Sequence, residues 1–260
     1  MTAREFFERA AELERARRPF ALATVVKREG PISSHLGDRA IILADGAMHG
    51  FVGGSCSRDI VRQEALDAMR SGESRLVQIE GKCASEGAVD VYVEPHLPAR
   101  MLVIAGATPV AAELARLAGA LDGYNVVRVV EPGELHQLGE AQAEHAVAID
   151  ALSDFLDGIE PADRERLVAV VASQGHYDEA ALKALLEIGE SAYIGLLASR
   201  KRAGAVFAET ERRGVASERL AYVHNPAGID IGARRPGEVA ISILAEIVAT
   251  LAAAEAKAAP

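Results

Sequence analysis

From Met101 the sequence becomes a recurrence of short apolar runs separated by amphipathic stretches. The run MLVIAG and residues 126–130, 145–149, 167–172 and 192–197 are of strand length and rich in β-branched residues. Helices are expected between them, one carrying Val110, Leu114, Leu117 and Ala118, and others over 178–188 and 199–213. Strands alternating with helices give βαβ units and a parallel sheet. The expected fold class is therefore α/β, with a Rossmann-like parallel-sheet domain in this half. A last helix begins near Pro236, which suits a first helical turn, and carries Ile241, Leu244, Val248 and Leu251.

The first hundred residues follow another pattern. Phe6, Phe7, Ala10 and Leu13 recur at helical spacing over 3–17, and Pro19 stops that helix. Residues 20–26 read as a buried strand and 27–37 as a long polar loop. Strands over 40–43 and 48–52 flank Asp45-Gly46, a strong hairpin signal. A helix over 57–71, with Ile60, Val61, Ala65, Ala68 and Met69 on one face, ends at Gly72 and takes Ser55 as its N-cap. Strands over 75–79 and 89–93 flank a Gly-rich loop containing Cys83, and Pro95 and Pro98 read as an interdomain linker. The expectation is an α+β domain over 1–98 followed by the Rossmann-like domain over 99–260. At roughly 150 residues per domain, 260 residues accommodate both.

A net charge of −10, from 28 Lys+Arg against 38 Asp+Glu, argues against non-specific binding of nucleic acid. Aromatics at 4% with no Trp argue against a base-stacking platform. No stretch is expected to span a membrane, and the charged N-terminus is not a signal peptide. Two cysteines without an export signal lead us to expect a reducing cytoplasm and free thiols.

Several loops carry chemistry-bearing residues. Gly53-Gly54-Ser55-Cys56 places two glycines and a thiol before a helix, where N–H groups and the dipole favour an anion or a thiolate. That suits a sulfur nucleophile, a metal ligand or an anion cradle, and equally a small buried thiol behind a turn. Cys83 lies beside Lys82. Two cysteines without nearby histidines give no zinc site, so no metal site is expected. Gly106-Ala107-Thr108-Pro109-Val110-Ala111 stands where G-x-G-x-x-G/A would bind a dinucleotide, with Thr108 at the middle glycine. Glu131, at the end of the next strand, stands where a ribose-binding acid belongs and would favour NAD over NADP. His176, in Ser173–Asp178, and Arg200, in Ser199–Arg202, follow later strands. The first would be a ligand or general base, or part of a polar loop. The second would meet a phosphate, or be a solvated charge run. The turn His224–Ala233 before the last helix is the remaining candidate.

Nearly the whole of 12–250 resembles the XdhC/CoxI family, which includes CoxF-type proteins. The resemblance rests on ATVVKREGPISSHLGDRAIILADG, GFVGGSC, MLVIAGA, AYIGLLASRKRA and PAGIDIGARRPGEVAISILAEIVA. It implies a maturation factor that binds the molybdenum cofactor and assists its sulfuration and insertion into an apo molybdenum hydroxylase. Clients would be of the xanthine dehydrogenase or CO dehydrogenase type, and a cysteine desulfurase would be a partner. It carries the Gly-Gly-x-Cys loop onto Gly53, Gly54 and Cys56, and the second cysteine onto Cys83. Thr108 and Pro109 replace the Gly and His of the family's G-A-G-H-V turn, and Ser57-Arg58 replaces Val-Glu. An anionic, phosphate-bearing pterin would find donors at Ser33, Ser34, Gly53, Ser55 and Cys56, and cations at Arg39 and Arg58. The alternative is an NAD(P)- or FAD-linked oxidoreductase using Gly106 and Glu131. Pairing of two copies through 237–251 is compatible with the apolar last helix.

Overall fold

A computed structural model describes residues 1–80, 87–121, 123–138 and 145–258. Its contacts divide the chain into two compact units, Met1–Pro98 with the chain's last residues from Ala254, and Ala99–Ala253.

The first unit begins with α1 (Ala3–Arg15). A capping box starts it: Glu5 N–H donates to the Thr2 hydroxyl, and Thr2 N–H donates to the Glu5 carboxylate at 2.7 Å. The helix stops two residues before the expected end, where Arg17 turns to a left-handed φ of 52°. Then come β1 (Phe20–Glu29), β2 (Arg39–Leu43), β3 (Met48–Gly50), α2 (Ser55–Ser71), β4 (Arg75–Glu80) and β5 (Ala88–His96). The strands form one antiparallel sheet in the order β3-β2-β1-β5-β4.

Strand alternation puts two cores on this sheet. Phe20, Ile41 and Leu43 pack with Phe6 and Leu13 of α1. Ala21, Ala23, Val25, Ala40 and Ile42 point the other way, onto Val61, Ala65 and Ala68 of α2. Each large apolar side chain buried here contributes about 1.5–3 kcal/mol. Three sequence expectations change. β1 continues to Glu29, past a bulge between Val25 and Lys27, because it pairs with β5 there. The extension is exposed and polar, so it lacks an apolar pattern. β5 runs through Pro95 to His96, so Pro95 is strand rather than linker. At that end β4 has already stopped (its last pair is Arg75 with Val93), so a missing N–H is tolerated. Finally, Gly54 is the cap of α2 and Ser55 its first helical residue.

The second unit comprises β6 (Arg100–Ala105), α3 (Pro109–Ala118), β7 (Tyr124–Val130), β8 (Ala146–Ala148), α4 (Leu152–Asp157) and α5 (Pro161–Arg164). It continues with β9 (Val168–Val171), α6 (Asp178–Glu187), β10 (Tyr193–Leu196), α7 (Arg200–Arg212), α8 (Ser217–Leu220), β11 (Val223–His224) and α9 (Pro236–Ala258). All six strands are parallel, in the order β11-β10-β9-β6-β7-β8. Numbered by their place in this sheet they read 6-5-4-1-2-3, the doubly wound Rossmann order, with the reversal between β6 and β9. Val103 and Ala105 of β6 face the core of α4, α6 and α7, whereas Leu102 and Ile104 face α3 and α9. β11 and the short helices α4, α5 and α8 are too brief for hydrophobic periodicity to reveal.

The last helix bears on the expectation that no stretch spans a membrane. Residues Pro236–Ala254 are long and apolar enough, by length and composition, to cross a membrane. Ala240, Ile243, Ile247 and Leu251 nevertheless pack into the core against β6 and α3, which is how a core helix of an α/β domain uses such a stretch.

Candidate functional site

In the first unit, α2 opens at the Gly-Gly-Ser-Cys loop. Gly53 is buried with φ 137°, and a Cβ there would lie 2.9 Å from Ser57 Cβ and 3.8 Å from Ser34 Oγ. Only glycine leaves that space open. Gly54 caps the helix with no side-chain hydrogen bond, and open space surrounds its Cβ position. The first intrahelical bond is Arg58 N–H to Gly54 O at 3.0 Å. Among the described residues, the N–H groups of Ser55, Cys56 and Ser57 therefore have no backbone acceptors. No acidic residue stands in this first turn.

Cys56 is a free, exposed thiol in that turn. Ser34 is 1% exposed. Arg28, which the sequence did not single out, donates to Ser34 O at 3.4 Å. The structure thus brings together Ser34, Gly53, Gly54, Ser55 and Cys56. Ser33 and Arg58 are exposed nearby in sequence. Arg39 lies on the α1 face of the sheet, its guanidinium 5.8 and 5.5 Å from the ring centres of Phe6 and Phe7. Cys83 lies outside the described residues.

In the second unit, Gly106, Glu131, His176 and Arg200 all follow the carboxyl ends of parallel strands, where α/β sheets bind ligands. Gly106 (φ 139°) passes so close to β9 that a Cβ would sit 2.4 Å from Ala172 O. The first glycine of a dinucleotide turn has this role. Thr108 changes the second: its hydroxyl donates to Ala172 O at 2.9 Å and accepts from Ala111 N–H at 3.2 Å. The side chain that replaces the middle glycine is an N-cap bridging β9 and α3.

Arg128, missed in the sequence, is 1% exposed and donates to Gly106 O. Burial lowers its basicity, opposed by Tyr177 and Glu134. Glu134 accepts from Tyr177 OH at 3.0 Å and from Glu131 N–H at 3.0 Å. Burial, then the bond to Glu134, pushes the Tyr177 phenol well above its ordinary range. An Arg in the middle of YNVVRVV was the available signal, because a cation in a buried strand needs partners.

His176 is exposed, in a turn whose Gln174 and Gly175 have φ of 56° and 96°. Ser173 and Asp178 from the same segment are buried: the Ser173 hydroxyl donates to Asp178, which pairs with Arg202 of α7. Arg202 is thus the cation of Ser199–Arg202 with a buried partner, while Arg200 is exposed at the start of α7. At the sheet edge, Glu246 of α9 accepts from Tyr193 OH at 2.6 Å and from Gly228 N–H at 2.7 Å. It also lies 3.3 Å from His224 Nδ1. The turn His224–Ala233 is therefore clasped to α9. Among the described residues no cluster of His, Cys, Asp and Glu is arranged to hold a metal ion.

One unit built on a Rossmann-type parallel sheet and one on an antiparallel sheet with a glycine-framed thiol define a two-part α/β protein. Residues 102–247 match the XdhC Rossmann domain and residues 13–80 match the XdhC and CoxI family, and the chain belongs to that family. It is similar to uncharacterized protein YqeB of Escherichia coli (strain K12), 31% identical over 252 residues, which cover 93% of this chain. The chain spans 45% of the length of that relative. A crystal structure described as a xanthine dehydrogenase from Bacillus halodurans is 19% identical, with a TM-score of 0.48, covering 97% of this chain and 96% of that one.

Proposed function

We propose that this chain is a maturation factor for a molybdenum hydroxylase of the xanthine dehydrogenase or CO dehydrogenase type. In this reading it holds the molybdenum cofactor as cargo while the cofactor is sulfurated and inserted. Family membership supports a role in such maturation in general. The observation that carries the finer reading is the exposed Cys56 thiol in the first turn of α2, directly after Gly53-Gly54.

The residues fit the cargo. Molybdopterin joins a soft, sulfur-ligated metal to a phosphate. A thiolate is the donor such a metal prefers. The N–H groups that open α2 and the Ser34 hydroxyl suit the anionic part, and Gly53 lets the chain pass close to Ser57. When bound, the cofactor supplies the metal centre on which a client hydroxylase depends. Cys56 would ligate or pass sulfur, the α2 terminus would orient the anionic end, and Arg28 would add positive charge. An apo-hydroxylase takes the cargo and a cysteine desulfurase supplies sulfur.

The test is molybdenum and oxidised-pterin analysis of protein from a molybdenum-replete host, wild type beside Cys56→Ala. Near-stoichiometric Mo and pterin, lost in the variant, is the expected result. No Mo or pterin in either protein would end the carrier reading.

A further inference from the structure

We propose that a cavity at the β10–β11 edge of the parallel sheet is a binding site for an aromatic α-amino acid. It belongs wholly to the second unit and uses no residue of the Gly53–Cys56 loop, so it stands apart from the carrier reading.

The cavity has a volume of about 640 Å³, and small-molecule sites occupy about 300–1,000 Å³. Leu186 of α6, Tyr193 and Ile194 of β10, Tyr222 and His224 around β11, and Thr250 of α9 wall it. Tyr193 opens β10 and Tyr222 precedes β11, whereas Gly106, Glu131, His176 and Arg200 follow the carboxyl ends of strands. The cavity is therefore remote from the crevice in which such sheets ordinarily bind ligands. The chain is only 4% aromatic, yet two of its five tyrosines and a histidine ring line this space. Tyr222 is 77% exposed. The rings of Tyr193 and His224 lie 4.5 Å apart, centre to centre. A ligand ring seated here would pair with aromatic faces, which contribute beyond the area they bury.

Charge defines the rest of the ligand. Arg219 and Glu190 line the same cavity. Arg219 donates to Leu186 O, which takes one of the five donors of a guanidinium. Among the described residues Arg219 and Glu190 form no ion pair with each other, so a ligand carrying both signs meets both. A carboxylate suits the planar fork of Arg219, and an ammonium suits Glu190. His224 adds an acceptor: its Nδ1 lies 3.3 Å from Glu246 Oε1, which places the proton on Nδ1 and leaves Nε2 of the neutral ring to accept. An aryl acid would leave Glu190 unused and an aryl amine would leave Arg219 unused. An aromatic amino acid uses the cation, the carboxylate and the rings together.

The experiment titrates four probes into the full chain by calorimetry: L-phenylalanine, hydrocinnamate, which lacks the ammonium, phenethylamine, which lacks the carboxylate, and L-leucine, which lacks the ring. Amide shifts of Ser191, Tyr222 and His224 locate the site. L-Phenylalanine is expected to saturate and to move those amides, with hydrocinnamate and phenethylamine each weaker by about tenfold, the loss of one charged hydrogen bond. Glu190→Gln, at an exposed position, is expected to weaken L-phenylalanine about tenfold and to leave hydrocinnamate unchanged. Arg219→Gln is expected to weaken both. Because Arg219 also holds Leu186 O, a melting curve checks the fold, and Arg219→Lys, which keeps a cation, is expected to retain more affinity than Arg219→Gln. Tyr222→Ala is expected to narrow the preference for L-phenylalanine over L-leucine. No saturable binding of L-phenylalanine, an analogue lacking one charge binding as tightly, unaltered affinity in Glu190→Gln, or shifts confined to other amides would each overturn the proposal.

Discussion

The Tyr193 hydroxyl donates to Glu246 at 2.6 Å, tying the first residue of β10 to the middle of α9. The ring crosses β10 over Gly195, where a Cβ would lie 2.7 Å from the Tyr193 oxygen. It lies 4.5 Å from the His224 ring, centre to centre. One carboxylate therefore gathers a strand, an edge strand, a glycine turn and the last helix.

The pH dependence of this clasp follows from its groups. Burial pushes the Glu246 carboxyl up, but hydrogen bonds from Tyr193 and Gly228 N–H, with His224 nearby, outweigh it and hold it below 4.5. A lowered folded-state value stabilises above the unfolded value and loses that stabilisation as pH falls through the folded one. Burial and the Glu246 bond raise the Tyr193 phenol above 10. Its contribution is complete below pH 10 and lost as pH rises beyond. Thermal melts of the wild type should fall below about pH 4.5. Glu246→Gln should be less stable near neutrality by about 1–2 kcal/mol and should flatten the acid-side loss. Equal acid sensitivity in the variant would refute the assignment.

The Asp178–Arg202 pair should be costly to break from one side. Asp178 has 1% of its side chain exposed and also accepts from Ser173, whereas Arg202 is one-third exposed. Asp178→Ala strands a buried hydroxyl and a partly buried cation, for about 2–4 kcal/mol after allowing for Arg202's access to water. Arg202→Ala leaves a buried carboxylate behind and should cost at least as much. Urea unfolding of both variants checks the order.

Much of this architecture was legible because long periodic segments dominate the second unit: the runs from Met101, Leu167 and Ala192 became β6, β9 and β10. Less legible was what tertiary pairing alone creates. β1 runs on to Glu29 through exposed residues held by β5, and β11 has two residues. At the sites, the glycine loop was visible as a motif. Ser34 was named as a donor from the sequence, and the fold sets its hydroxyl 3.8 Å from the Cβ position at Gly53. Arg28, Arg128 and Glu246 were overlooked because a charged residue in sequence carries no mark of the partner folding provides.

Gly106→Ala should be among the most damaging single changes in the second unit. The Cβ would lie 2.4 Å from Ala172 O and 2.6 Å from Ala172 C, both backbone atoms, at a φ of 139°. Neither side can yield as a flexible side chain would. A loss of about 3 kcal/mol or more, or failure to accumulate folded protein, is expected. Gly204→Ala, within α7 with open space at its Cβ position, is the control and should stabilise by about 0.4–1 kcal/mol. Comparable stabilities for the two would contradict the packing account.

The dinucleotide question has a direct answer in binding. The Thr108 hydroxyl is committed to Ala172 O and Ala111 N–H, and Pro109 has no N–H to offer a pyrophosphate. Glu131 keeps the place of a ribose acid, yet its loop is built around Glu134 and Tyr177. We expect NAD, NADP and FAD to show no saturable binding up to millimolar concentration, by calorimetry and by ligand fluorescence. Thr108→Gly would remove the bridge to β9 and cost about 0.5–1.5 kcal/mol of stability, the ordinary loss of one hydrogen bond, because glycine is itself a tolerated N-cap. Saturable binding of any of the three to the wild type would show that the turn admits a pyrophosphate beside the Thr108 side chain, and would move the oxidoreductase reading ahead of the carrier.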